Sequence, residues 1–160
     1  MASIEKNLSQ VSVQPDAKVS TRKFGIVVSE WNTDVTESLF EGTFSTLIKA
    51  GVSKENILRW DVPGSFELTL GAQWMAQKEA IDAVIALGCV IQGETKHFDF
   101  ICQAVASGIT DVGLKYNKPV IFGVLTTNDK KQAMERAGGK HGNKGDEAAA
   151  TALNMLAIKR

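Results

Sequence analysis

Residues 83–91 read AVIALGCVI, a run of nine residues without a polar side chain. A strand that is apolar at every position, instead of alternating, is typical of a parallel sheet that is buried on both faces. Residues 119–125 (PVIFGVL) and 24–29 (FGIVVS) have the same character, and residues 57–62 end at a Pro-Gly turn signal. We therefore predict four strands, at 24–29, 57–62, 83–91 and 119–125.

Apolar residues at helical spacing fill the segments between these strands. Asn32 offers a side-chain oxygen that would cap the first helix, Asp34 lies in its first turn, and Gly51 is expected to end it. Later helices are predicted over residues 66–78, 98–112, 129–137 and 146–158. Strands that alternate with helices predict an α/β fold whose parallel sheet carries helices on both faces.

The composition is that of one globular domain, with 44% hydrophobic and 22% charged residues among 160. The 18 basic and 18 acidic residues cancel, so no global field favours nucleic acid or an anionic membrane as a partner. Cys89 and Cys102 lack metal-ligand spacing and are expected to be reduced core thiols, which favours a cytoplasmic protein. Residues 1–21 have no signal-peptide core, and no apolar run approaches the roughly 20 residues that span a bilayer.

The N-terminal residues differ from the rest of the chain. Residues 1–18 are polar and aperiodic, so we expect an arm that is mobile or pinned by a partner, followed by a single domain over 19–160. Val11 and Val13 alternate with polar neighbours, a pattern that suits one short edge strand.

Unusual residues follow the predicted strands, at 30–32 (EWN), 63–67 (PGSFE), 92–99 (QGETKHFD) and 126–127 (TT). Ligands of parallel α/β sheets bind beyond the carboxyl ends of the strands, so we expect one site at this edge. Gly93, Thr95 and Lys96 open a helix, whose N-terminal N–H groups favour an anion. This segment is interpreted either as a phosphate cradle or as a well-capped helix start with a solvated lysine. The spacing of a P-loop is absent.

Two histidines are present, His97 and His141. The imidazole is the side chain that changes charge near neutral pH, so His97 at the start of a helix after the most buried strand is a candidate proton carrier. A single histidine is equally compatible with a surface or structural role. His141 lies in a loop rich in Gly and Lys and is expected to be solvated.

Four further residues each have a structural and a functional interpretation. Trp31 either stacks on a planar ring or closes the core from above. Glu67 either favours a helix dipole or accepts hydrogen bonds from a polyol. Phe122 is core by default, because it lies in a buried strand. Arg136 belongs to a basic stretch that is usually solvated, but its guanidinium could also bind a phosphate.

Five segments, in this order, resemble those of the lumazine synthase family: 29–32 (SEWN), 62–67 (VPGSFE), 86–99 (ALGCVIQGETKHFD), 119–126 (PVIFGVLT) and 136–145 (RAGGKHGNKG). The resemblance spans about residues 22–158, and the GETKHFD and HGNKG elements are the most specific. It implies an enzyme without metal or cofactor that condenses 5-amino-6-(D-ribitylamino)uracil with 3,4-dihydroxy-2-butanone 4-phosphate. The product, 6,7-dimethyl-8-ribityllumazine, is made in the penultimate step of riboflavin biosynthesis.

The resemblance also implies a role for each matching residue. His97 corresponds to the proton carrier, and Phe122 to an aromatic that closes the pocket from a neighbouring subunit. The implied contacts of the pyrimidine and its ribityl chain are Trp31, Asn32, Ser65, Phe66, Glu67, Cys89, Val90, Ile91, Phe122 and Lys144. Those of the butanone phosphate are Gly93, Glu94, Thr95 and Arg136. Two positions depart from the family pattern, because Gln92 stands where arginine is frequent and Glu94 places an acid beside the phosphate.

The resemblance implies a flavodoxin-like three-layer α/β/α sandwich with a four-stranded parallel sheet and an N-terminal strand that pairs with a neighbouring subunit. Active sites would lie between subunits of a homopentamer. The short segment 138–145 favours a shell of twelve pentamers, and association with riboflavin synthase is a further implied partnership.

Three alternatives are weighed against this interpretation. A nucleotide-binding or flavodoxin-like module would carry a glycine fingerprint after the first strand, which SEWN is not. A non-catalytic shell protein would be expected to lose His97, Glu67 or Arg136, all of which are present. A riboflavin-synthase-like enzyme of the same fold acting on related pyrimidines remains open.

Overall fold

The structure is a computed structural model that describes residues 7–158. Within this range strands and helices alternate, and a small hairpin precedes the last helix. The elements are β1 (Phe24–Ser29), α1 (Thr33–Lys49), β2 (Ile57–Val62), α2 (Leu68–Ala76), β3 (Ala83–Ile91), α3 (His97–Tyr116), β4 (Val120–Thr127), α4 (Lys130–Glu135), β5 (Ala137–Gly139), β6 (Gly142–Asn143) and α5 (Lys144–Ile158). The four predicted strands are confirmed, with the fourth displaced by one or two residues.

Strands β1 to β4 form one parallel sheet in the order β2-β1-β3-β4. Helices α1, α4 and α5 pack on one face of this sheet, and α2 and α3 pack on the other. This arrangement confirms the predicted three-layer α/β/α sandwich with its flavodoxin-like parallel sheet.

Strand β3 lies inside the sheet, because β1 and β4 pair with its two edges. The side chains of residues 83–89 are all buried and alternate between the two cores. Ile85 and Leu87 face α1 and α5, whereas Val84 and Ala86 face α2 and α3. Full burial of one aliphatic side chain contributes about 1.5–3 kcal/mol, so the uninterrupted apolar sequence of β3 follows from its being covered twice.

Helices α3 and α4 begin within one residue of the predicted positions, whereas α2 and α5 each begin two residues away. Helix α2 begins at Leu68, two residues late, because the preceding residues form a turn in which the Leu68 N–H donates to the Ser65 carbonyl at 3.3 Å. Helix α5 begins at Lys144, two residues early, and the Asn143 side-chain oxygen accepts from the Gly145 N–H at 2.7 Å in its first turn.

The hairpin of β5 and β6 was not predicted, because strands of three and two residues carry no periodic signal. His141 lies in its turn, and its N–H donates to the Glu135 carbonyl at 2.8 Å. The prediction that His141 is solvated is wrong: its side chain is only 16% exposed, and Nε2 lies 3.9 Å from Glu135 Oε2.

The N-terminal segment lies along the surface of its own domain. The predicted strand around Val11 and Val13 is not formed in the described part of this segment, residues 7–18. Instead the Leu8 N–H donates to the His141 carbonyl at 2.8 Å, and the Gln14 N–H donates to the side chain of Asn154 at 2.8 Å. Residues 1–6 of the predicted arm lie outside the described residues, and pairing with a neighbouring subunit stays a prediction.

The backbones of α1 and α5 are so close at Gly145 that no side chain fits between them. A Cβ atom added to Gly145 would lie 1.9 Å from the Leu39 carbonyl oxygen of α1. Beside this contact the Thr43 hydroxyl donates to the Gly145 carbonyl at 3.1 Å. Glycine at 145 is therefore required by the distance between two backbones.

We expect Gly145→Ala to destabilise the protein by about 1–3 kcal/mol, the range found when extra atoms are forced into a packed core. Urea unfolding followed by circular dichroism measures this change. Gly93→Ala is the matched control, because a Cβ there meets nothing within 4 Å. An unchanged midpoint for Gly145→Ala would mean that α1 and α5 separate at little cost.

Candidate active site

A cavity of about 680 Å³ lies beyond the carboxyl ends of β1, β2 and β3. We name it the first cavity. The first turn of α3 closes one side of it. Its lining residues are Trp31, Asn32, Gly64, Ser65, Phe66, Glu67, Cys89, Val90, Ile91, His97 and Ile101. Four separate segments of the sequence therefore meet at the predicted edge of the sheet, and nine of the predicted site residues lie together.

Two aromatic side chains flank the first cavity without being buried. Trp31 is 71% exposed and Phe66 is 56% exposed. Such exposure excludes the interpretation in which Trp31 closes the core. A large exposed aromatic beside a cavity is instead typical of a surface that contacts a ligand or another protein chain.

The loop after β1 is fixed by Asn32. This residue has a left-handed backbone, with φ of 63°, and its side chain makes no capping bond to α1. The predicted capping role is therefore wrong. Its Nδ2 donates to the Cys89 carbonyl at 3.0 Å, and the Ser65 hydroxyl makes a weaker contact with the same carbonyl at 3.5 Å. Both bonds tie loops of the cavity to β3.

Glu67 stands at the N-cap position of α2 and is exposed. Its carboxylate bends back over the preceding turn, since a Cβ added to Gly64 would lie 3.0 Å from Glu67 Oε2. The acid therefore faces the rim of the first cavity, where it can accept hydrogen bonds from a bound molecule.

The segment between β3 and α3 forms the other rim. Thr95 Oγ1 accepts from the His97 N–H at 3.3 Å, and the Gln92 amide donates to the Gly93 carbonyl at 2.8 Å. The exposed side of the Gly93 backbone is open, because no atom lies within 4 Å of the Cβ position. A 20-residue helix begins here, so its free N–H groups lie beside an accessible backbone.

His97 is the first residue of α3, and it is exposed on the wall of the first cavity. In the same turn, the Asp99 carboxylate forms an exposed ion pair with Lys96 Nζ at 3.7 Å. Ile101, one helical turn after His97, lines the same wall. Ile101 and Gly64 were not predicted as site residues, although the i,i+4 spacing from His97 and the PGSFE element were signals for them.

Three predicted site residues lie away from the first cavity. Phe122 and Lys144 line a second cavity of about 890 Å³, between α3, α5 and the free edge of β4. Arg136 lines neither of these two cavities, and its Nη1 donates to the Gln132 carbonyl at 3.0 Å. The Lys144 N–H donates to the Arg136 carbonyl at 2.8 Å, so the two cations belong to one corner of the molecule.

The two cysteines are free thiols. Cys89 is buried, as predicted, and burial raises its pKa to about 11. The thiol is therefore protonated near neutral pH and is a poor nucleophile, although it borders the first cavity. Cys102 is only half-buried in α3, which departs from the predicted core position.

Among residues 7–158, no helix is long and apolar enough to cross a membrane.

Comparison with known proteins identifies the family. The family model for 6,7-dimethyl-8-ribityllumazine synthase matches residues 21–160. The chain belongs to this family. A 6,7-dimethyl-8-ribityllumazine synthase of Cytophaga hutchinsonii is 66% identical over 157 residues, which cover 98% of each chain. Enzymes of the same name from Parabacteroides distasonis and Flavobacterium johnsoniae are each 51% identical, over 98% and 100% of this chain and 98% and 84% of their own.

The lumazine synthase family covers all four segments that line the first cavity, and it also covers the hairpin with Arg136 and Lys144. The resemblance noted from the sequence is thereby confirmed. The nucleotide-binding alternative is not supported, because the relatives share one name along nearly the full chain.

Proposed function

We propose that the chain condenses 5-amino-6-(D-ribitylamino)uracil with 3,4-dihydroxy-2-butanone 4-phosphate to form 6,7-dimethyl-8-ribityllumazine, phosphate and two molecules of water. The observation that carries this proposal is the convergence of Trp31, Glu67 and His97 on one cavity in a chain of the lumazine synthase family. The inactive-shell alternative has no comparable support, because a chain that only assembles has no need for these groups around one cavity.

The pyrimidine ring stacks on Trp31, and its ribityl hydroxyls donate to Glu67 and contact Ser65 and Phe66. The pairing of β1 with β3 ends at Val28 and Leu87, while β3 continues to Ile91. The backbone of residues 89–91 therefore borders the cavity beyond the end of β1. Backbone N–H and C=O groups in such a position read the edge of a planar ring with little loss of entropy.

The butanone phosphate binds at the open backbone of Gly93 to Thr95. The N–H groups and dipole at the start of α3 favour its negative charge. Glu94 is compatible with this site if its exposed carboxylate points to solvent while its N–H faces the anion. Gln92 is neutral and already bonded to the Gly93 carbonyl, so the compensating cation is Arg136.

The reaction consists of proton transfers between oriented groups. The 5-amino group attacks the ketone, and loss of water forms an imine. Removal of the proton at the neighbouring carbon expels phosphate and leaves an enol, which becomes a ketone. The ribityl-bearing nitrogen attacks this ketone, and loss of a second water closes the ring. Holding both reactants in one cavity contributes roughly 7–11 kcal/mol in favourable cases, and His97 carries the protons.

The cavity is completed by a neighbouring copy of the chain. Phe122 and Lys144 lie outside the first cavity of their own chain, so they reach a pyrimidine only from a second molecule. Arg136 arrives with them, because its backbone is bonded to that of Lys144. Exposed apolar side chains line both cavities: Trp31 and Phe66 the first, and Leu114, Met155 and Ile158 the second. Leu70 and Trp74 on α2 and Phe100 on α3 are exposed as well. Copies joined head to tail in this way form a closed ring when the rotation between neighbours closes, and the proposed assembly is such a ring.

The proposed ring is a homopentamer, and twelve such rings form a shell. The short segment 138–145, and not a structural contact, supports the shell. A cytoplasmic location and an association with riboflavin synthase complete the proposal.

Mixing the two proposed substrates with the purified protein tests the reaction. We expect the fluorescence of the lumazine product to appear together with one inorganic phosphate per product. Release of riboflavin from lumazine alone would instead support the riboflavin-synthase-like alternative. Absence of both products from a folded, assembled protein would contradict the proposal.

We expect His97→Ala to lower kcat by about 10²–10⁴-fold, the usual contribution of one acid–base group, and to leave pyrimidine binding nearly unchanged. Steady-state kinetics and a pyrimidine titration separate the two effects. Asp99→Ala is the matched control in the same helical turn, and it should retain activity because Asp99 pairs with Lys96. Wild-type kinetics for His97→Ala would remove this residue from proton transfer.

A shared site predicts complementation between two impaired variants. His97→Ala damages the first cavity, and Lys144→Ala damages the second. When both chains are co-expressed with different tags and purified through both, about a quarter of the interfaces should combine two intact cavities. Activity should therefore exceed that of either variant alone. A mixed assembly no more active than its parents would place the whole site within one chain.

A further inference from the structure

Asn32 occupies an unusual backbone conformation beside the first cavity. It and Asn117 are the two residues other than glycine that have positive φ among residues 7–158, with values of 63° and 49°. Glycine adopts this conformation without steric cost, whereas any side chain adds strain, and asparagine is among the side chains that tolerate it best. Asparagine at position 32 is therefore under more backbone strain than glycine would be, and its amide should make an interaction that offsets this strain.

The Asn32 amide forms a hydrogen bond with a distant strand. Asn32 Nδ2 donates to the Cys89 carbonyl at 3.0 Å, across 57 positions of sequence. Regular pairing between β1 and β3 has already ended at Val28 and Leu87. The side chain thus continues the connection between the two strands beyond the point where their backbones separate. Its acceptor, Cys89, is still paired with Leu125 of β4 on the other edge of the strand, so it is a rigid anchor.

The same loop is fixed on its other side and at its end. The Glu30 N–H donates to the Val62 carbonyl at 2.8 Å, and the Asn32 carbonyl accepts from the N–H of Val35 at 2.9 Å. Trp31 lies between these bonds. Its side chain is 71% exposed, so the backbone held by the two flanking residues, and not packing around the indole, sets the direction of its Cα–Cβ bond.

We propose that Asn32 is a positioning residue: its left-handed backbone and its bond to Cys89 hold the Trp31 indole over the first cavity before any ligand arrives. This inference rests on the proposed function only for the identity of the ligand, a planar pyrimidine. An indole that is already oriented loses less conformational freedom on stacking, so the bond lowers the KM for the pyrimidine rather than raising kcat. The donor is engaged with Cys89, which gives it this role in place of direct contact with the substrate.

The test replaces the Asn32 amide and measures the motion of the Trp31 indole. The chain has three tryptophans, so Trp60→Phe and Trp74→Phe leave Trp31 as the sole indole emitter. In this background Asn32→Gly keeps the backbone conformation and deletes the bond, and Asn32→Asp keeps the size but turns an acceptor toward the Cys89 carbonyl. Asn117→Gly is the matched control, the same change at the other left-handed asparagine, at the opposite end of α3 from His97.

Time-resolved anisotropy of the ligand-free protein should show that the amplitude of nanosecond indole motion rises about twofold in both Asn32 variants and is unchanged in Asn117→Gly. The KM for the pyrimidine should rise about 3- to 10-fold, the effect of losing one ordering hydrogen bond, with kcat altered less than about twofold. A purely structural role would lower the thermal midpoint without changing indole motion.

Unchanged anisotropy in both folded Asn32 variants would overturn the positioning role, whatever their activity. Increased motion in a protein whose wild type makes no lumazine would support positioning and overturn the proposed function instead. A fall in kcat with an unchanged KM would also contradict the inference, because it would place Asn32 at the reacting atoms.

Discussion

The double burial of β3 is the constraint on which the rest of the structure depends. Because β1 and β4 bond to its edges and helices cover both its faces, all residues from 83 to 89 are buried. This strand can therefore move little relative to the layers around it. Every group of the chain that lines the first cavity lies at the end of β3, in the helix that follows it, or in a loop that bonds to it.

The cavity itself results from unequal strand lengths. Strand β1 ends at Ser29, whereas β3 runs on to Ile91, and the space beside the longer strand is left open at the carboxyl edge. Asn32 and Ser65 cross this space to the Cys89 carbonyl. The helix that follows β3 brings His97 to the opposite wall. A ligand bound there contacts parts of the chain that the rigid strand holds in register.

The residues that the resemblance assigns to one site between subunits line two separate cavities of the single chain. Lys144 pairs with Glu147 at 2.9 Å, and both side chains are largely buried in the second cavity. Such a pair is held in place before any neighbour arrives, so a second copy could receive a preformed surface. In the proposed assembly, the apolar side chains around both cavities are the surface that this contact would bury.

Much of this protein was determined by its sequence alone. The apolar run at 83–91 and the alternation of helices with strands predicted the layers, because a strand buried on both faces has apolar residues at every position. The order of the SEWN, PGSFE and GETKHFD segments predicted the members of the first cavity, since parallel strands all end at one edge. Local pattern was sufficient for these features because each depends on neighbours in sequence.

Other features were decided only by tertiary structure. The bond of Asn32 to Cys89, the burial of His141 against Glu135 and the separation of Phe122 from Trp31 each join residues that are distant in sequence or face different ways. The residue pattern suggested a helix cap for Asn32, a solvated loop for His141 and a core position for Phe122. A side chain with several possible partners takes the one that the packed layers bring within reach, and the distances between those layers are set by the whole fold.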